Sequence, residues 1–125
     1  MNGGLITKDI GSEKRFSAGD LCSIAEVLHP AKMELPFDSY SLAHAVVMAH
    51  DSTRPHRLIK STEVYFILSG GGIIYVNGEA AELKKGRAVV IPAGAVQYVE
   101  NDRDEKLEFL CVVSPPWSAE DEVVC

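Results

Sequence analysis

A chain of 125 residues fits one domain, and a domain of this size buries enough surface to hold a core without a staple. Eighteen acidic residues against twelve basic ones give a formal charge of −6, and no basic run interrupts that balance. Such a surface repels phosphate backbones and anionic lipid, so nucleic acid and membranes are excluded as partners.

Taken in chain order, residues 1–19 (MNGGLITKDIGSEKRFSAG) read as an N-terminal arm. They lack the apolar core of a signal peptide, and no later stretch reaches the ~20 apolar residues of a membrane span. The expected compartment is the cytoplasm. Short apolar or alternating runs then follow one another between turn residues, the pattern of an all-β barrel or sandwich. Strands are expected at 20–28, 41–48, 57–59, 63–68, 72–76, 79–83, 88–91, 97–100 and 106–113. Asn77-Gly78 is a two-residue hairpin signal between two of them. Pro92-Ala93-Gly94 suits a turn. Ser69-Gly70-Gly71-Gly72 follows a strand, but no helix and no Lys-Ser/Thr come after it, so it reads as a hairpin or bulge and not a phosphate loop. In the run from 107 to 113 the inward set is Leu107, Phe109, Cys111 and Val113. Leu110 and Val112 leave the other face apolar as well, and a second subunit would cover it. The domain is bounded at 20–114, and the tail 115–125 leaves at Pro115-Pro116. In that tail Trp117 would cover one barrel end or pack on a second subunit, and Ser118 would open a short helical turn. Cys22, Cys111 and Cys125 are odd in number and widely spaced, which excludes a disulfide framework or a zinc ribbon.

The chemistry concentrates around residue 60. Side chains alternate across a strand, so His56 and Leu58 share one face, as do Glu63, Tyr65 and Ile67, with Arg57 and Tyr98 turned away. The short connection 59–62 predicts that the strands carrying His56 and Glu63 are neighbours. A glutamate beside Tyr65 and Ile67 on an inward face needs a cation or hydrogen bonds.

His56, Glu63 and Gly70, followed by Gly86, Pro92, Gly94 and Asn101, resemble the cupin superfamily. Its two motifs run G-x5-H-x-H-x4-E-x6-G and G-x5-P-x-G-x2-H-x3-N, and seven of their ten fixed positions agree here at undistorted spacing. Both halves in order, with a hairpin between them, imply a double-stranded β-helix (jelly-roll) barrel of the cupin type. The chain is similar to short cupins loosely described as mannose-6-phosphate-isomerase-like, a label of fold and not of activity. Three positions depart: His50 replaces the opening glycine, Leu58 the second histidine and Gln97 the histidine of the second motif.

The resemblance implies a metal site of His56, Glu63 and Gln97, one imidazole with two oxygen donors. That set suits a divalent Mn, Fe, Ni or Zn ion with waters completing the shell. Otherwise the trio hydrogen-bonds water or an organic ligand. Glu63 and Tyr65 are the catalytic candidates, each able to move a proton. His44 would be a second nitrogen ligand, a base or a satisfied strand histidine. His50 suits a positive-φ turn. Arg54, Arg57, Lys60 and Arg87 would form a cationic rim or simply face solvent. The implied partners are a small polar molecule, such as a sugar or an organic acid, and a second copy in a homodimer. A metal-assisted enzyme and a non-catalytic binding or sensing module are the two readings this leaves.

Overall fold

The computed structural model describes residues 4–18 and 22–125. Among the described residues eleven strands build two antiparallel sheets, and the only helical pieces are 3-10 turns at Ile10–Ser12 and Ala119–Asp121. In chain order the strands are β1 (Arg15–Ser17), β2 (Ser23–Leu28), β3 (Ser41–Val47), β4 (His56–Leu58), β5 (Thr62–Ser69), β6 (Gly71–Val76), β7 (Glu79–Lys84), β8 (Ala88–Ile91), β9 (Gln97–Glu100), β10 (Leu107–Ser114) and β11 (Glu122–Val124). The first sheet runs β1-β2-β3-β10-β5-β8 and the second β11-β4-β9-β6-β7. This is the expected all-β jelly roll, two sheets facing each other over one core.

The expected strands recur with ends moved by one or two residues. The start of the one expected at 20–28 lies outside the described residues, and β2 begins at Ser23. Residues 15–17 and 122–124, placed by sequence in arm and tail, are strands pairing with β2 and β4. Each is three residues long, too short to show a period. Among the described residues no helix is long and apolar enough to cross a membrane.

The alternation works as read. In β10 Leu107, Phe109, Cys111 and Val113 are buried while Glu108, Leu110 and Val112 are only half-buried. Each fully buried side chain of that size stabilises the fold by about 1.5–3 kcal/mol relative to exposure, which is what locks the register. The hairpin β6–β7 turns at Asn77 (φ 48°) and Gly78 (φ 84°), the double left-handed geometry that Asn-Gly tolerates. Gly70 has φ 78°, and a Cβ there would collide with the Lys106 carbonyl, so the β5–β6 connection requires glycine. His50 adopts φ 62° as expected, and its Nε2 lies 2.7 Å from Asp104 Oδ1.

One expectation fails. The strand of His56 and the strand of Glu63 are not hydrogen-bonded neighbours: β4 lies in the second sheet and β5 in the first. The connection turns a corner between sheets, fixed by the Asp121 carboxylate, which accepts from the Lys60 amide (2.8 Å) and the Ser61 amide (3.1 Å). Short links in a jelly roll often cross between layers, so a short connection does not imply pairing.

Candidate functional site

The crossing places the motif residues on facing walls. From the second sheet, β4 and β9 present His56 and Gln97, which are direct cross-strand partners. From the first, β5 presents Glu63 and Tyr65. All four are buried, between 1% and 7% exposed. Gln97 bridges the sheets: its Nε2 donates to Glu63 Oε1 (2.7 Å), and its Oε1 accepts from the Tyr65 hydroxyl (2.8 Å). His56 Nδ1 lies 3.1 Å from the Arg54 carbonyl, to which it donates. Tyr65 packs on Phe109 with ring centroids 4.5 Å apart.

His56, Glu63 and Tyr65 line an internal cavity of about 30 Å³, space for one or two waters. Its floor is made of small side chains. Glu26, Ala43, Cys111 and Tyr65 form one row across β2, β3, β10 and β5, as successive register partners. Ala43 and Cys111 leave space in the middle of that row that larger residues would fill. Phe16 and Trp117 close one side, 6.1 Å apart between ring centroids. Trp117 is thus turned into the barrel, one of the two placements expected for it.

The trio expected to hold a metal comes together, and in it the Gln97 amide is engaged on both sides. Gln97 offers its NH₂ to Glu63, and its oxygen is engaged by Tyr65. A cation between His56 and Glu63 would meet amide hydrogens where an oxygen donor is needed. Among the described residues no group of three or more His, Cys, Asp or Glu side chains has metal-holding geometry. Leu58 is 3% exposed and belongs to the apolar core. His44 faces away from the cavity, with Nδ1 3.0 Å from Arg15 Nη1 and Nε2 3.4 Å from Glu108 Oε1. Burial, and then Arg15, pull its pKa below the ordinary histidine value, with Glu108 opposing. Arg54, Arg57, Lys60 and Arg87 do not line the cavity, so no cationic rim forms.

Sequence reasoning missed Glu26. It is 6% exposed, lines the cavity, and its Oε2 has no hydrogen-bond partner. Burial pushes its carboxyl above the usual carboxylate range, with Lys32 and His29 partly opposing. The available signal was the alternation Cys22, Ile24, Glu26, which sets a carboxylate on the same face as two apolar side chains. Ala25 and Val27 are apolar too, which made the inward face ambiguous.

Two facing antiparallel sheets around one cavity define a jelly-roll barrel. Residues 43–113 match the cupin domain family, and the chain belongs to it. An uncharacterised protein of Methanocaldococcus jannaschii is 33% identical over 117 residues, 94% of this chain and 92% of that protein. The oxalate-binding protein of Thermotoga maritima is 35% identical over 51 residues, 41% of this chain and 42% of that protein. Among solved structures, the nucleoside dehydratase Pac13 of Streptomyces superposes with a TM-score of 0.74 at 17% identity, covering 98% of this chain and 92% of that one. That likeness is one of fold.

Proposed function

We propose that the barrel binds a small polar organic molecule, a sugar or an organic acid, in the cavity between its sheets, without a metal ion. The observation that carries this reading is the chain Tyr65–Gln97–Glu63, whose Tyr65 and Glu63 line the cavity with His56, Glu26, Glu122 and a majority of apolar side chains. Pockets that bind small molecules combine an apolar lining with a few placed polar groups. Gln97 holds Glu63 and Tyr65 in fixed orientation, which is the preorganisation a binding site requires. Where the ligand is also transformed, Glu63 is the group to accept a proton from it and Tyr65 the group to give one. Entry of anything larger than water requires a wall to move. Phe16, on a three-residue edge strand, and Trp117, on the tail, form the wall we propose to move.

The metal reading of His56, Glu63 and Gln97 is the rival, and it needs the Gln97 amide to turn over and release Tyr65. Elemental analysis of protein purified without added metal or affinity tag separates the two. Substoichiometric, unselective metal is expected. One equivalent of a single metal, lost in Glu63→Ala, refutes the metal-free reading. Native mass spectrometry of the same sample looks for a co-purifying organic molecule, expected in the wild type and depleted in Glu63→Ala. The barrel is further proposed to form a homodimer through the outer face of the first sheet, where Phe66 (44%) and Val90 (68%) are exposed beside half-buried Leu110 and Val112. A patch of this kind on a lone barrel is costly. Light scattering at micromolar concentration should return twice the mass of one chain, and Phe66→Lys should return the monomer.

A further inference from the structure

The cavity's charge narrows the ligand class, on the footing that it is a small-molecule pocket. Three carboxylates line it, Glu26 on β2, Glu63 on β5 and Glu122 on β11. His56 is the only basic side chain among the described lining residues, and no lysine or arginine is among them. Lys32 and His29 are the basic groups near Glu26; Lys32 shares an outer groove with it, and its Nζ sits 5.2 Å from the centroid of the Phe16 ring. An acidic cluster alone would be silent about a ligand. Here one member speaks: Glu26 is 6% exposed, and its Oε2 is buried with no hydrogen-bond partner. A buried acceptor in that condition is costly unless something donates to it.

Its position is as informative as its chemistry. The register row Glu26–Ala43–Cys111–Tyr65 sets Glu26 and Tyr65 three strand spacings apart, about 14 Å between backbones on a flat sheet. Glu63, two residues from Tyr65, stands at the same end. A β-bulge between Glu26 and Leu28 re-aims the strand at this point, and such bulges commonly set the direction of a functional side chain. The cavity therefore has a carboxylate at each end and a floor of small side chains between.

We infer that Glu26 is a second ligand-binding pole, and that the pocket selects small molecules carrying hydrogen-bond donors at both ends and no negative charge. A carboxylate or phosphate ligand would add negative charge to a cavity lined by Glu26, Glu63 and Glu122, with no lysine or arginine among its described lining residues, and like-charge repulsion disfavours that. The donors can be hydroxyl groups or ammonium groups. Aromatic faces from Phe16, Tyr65 and Trp117 suit the carbon skeleton of either.

Three four-carbon probes of like length test this by titration calorimetry: erythritol, putrescine and succinate. Erythritol or putrescine is expected to bind at least about tenfold more tightly than succinate. Glu26→Gln keeps the shape, removes the charge and should raise the melting temperature of the free protein. It should weaken the preferred probe about tenfold, the loss expected for one charge-assisted hydrogen bond. A loss confined to putrescine assigns the site to an ammonium, and an equal loss for both assigns it to hydroxyl donors. Succinate binding as tightly as the other two overturns the inference, as does a Glu26→Gln variant that binds like the wild type. If succinate binds and Tyr65→Phe weakens it, the small-molecule pocket stands while its charge selectivity falls. If none of the three binds, the pocket reading fails and takes this inference with it.

Discussion

Replacing Tyr65 by Phe removes one hydroxyl from the inter-sheet bridge and little else. The ring is 4% exposed and stays packed on Phe109, so the change in buried apolar area is negligible. What is lost is the donor to Gln97 Oε1, an atom of a side chain only 1% exposed. The amide cannot recover by turning over, because that would set its oxygen against Glu63 Oε1, now 2.7 Å from Nε2. The cost is therefore that of a buried acceptor left without a donor, about 1–3 kcal/mol. For a domain of this size it corresponds to a fall of roughly 3–5 °C in melting temperature per kcal/mol. Urea unfolding followed by the fluorescence of Trp117, the single tryptophan, measures it. The urea dependence of the unfolding free energy should not change, since no surface is newly exposed. A cycle with Gln97→Ala should give a coupling of about 0.5–3 kcal/mol between the two positions. A loss below about 0.5 kcal/mol, or additive single and double variants, would show that the bridge is not made and would remove the argument for a preorganised wall.

Other substitutions read other parts of the molecule. Burial and Arg15 depress the pKa of His44 below the value of 6.5 it has when unfolded. The unfolded chain then binds the proton more readily than the native one. Stability is complete above about pH 6.5 and declines as pH falls through that value toward the folded pKa. His44→Gln should flatten this limb of the urea-midpoint profile, and an unchanged slope would refute the assignment. Asn101 is 1% exposed, and its Nδ2 lies 2.9–3.1 Å from the carbonyls of Val47, Met48 and Glu105. Asn101→Ala should cost about 3 kcal/mol by urea titration, and a loss below about 1 kcal/mol would mean water replaces the amide. Leu58→His restores the second histidine of the motif but sets an imidazole into the apolar core. It should destabilise by about 2–5 kcal/mol without raising metal content, and a stoichiometric metal in that variant would overturn the placement of Leu58.

The architecture was legible because its signals are local. Alternation identified the inward face of β10, Asn77-Gly78 identified a hairpin, and the motif spacing aligned two halves of one barrel. What escaped was long-range. Nothing near residue 60 announces that Asp121, some sixty positions later, pins the corner that sends β4 and β5 into different sheets. The grouping of His56, Glu63 and Gln97 was readable from the motif, whereas the orientation of the Gln97 amide depends on Tyr65, which belongs to no motif position. Glu26 was hidden by the apolar residues on both sides of it, which leave the parity of β2 undetermined until the sheet is assembled.

The exchange of a ring nitrogen for an amide at position 97 has a physical logic that links these observations. A glutamine is donor and acceptor at once, so one side chain satisfies both a carboxylate on Glu63 and a hydroxyl on Tyr65 across the gap between sheets. A site built around an ion spends its acceptors on that ion. On the metal-free reading proposed above, the amide bridge stands in for a cation at this contact, and a separate buried acceptor remains at the other end of the cavity, on Glu26. The molecule's polarity is then weighted toward acceptors facing inward, and complementarity requires that whatever enters bring the hydrogens.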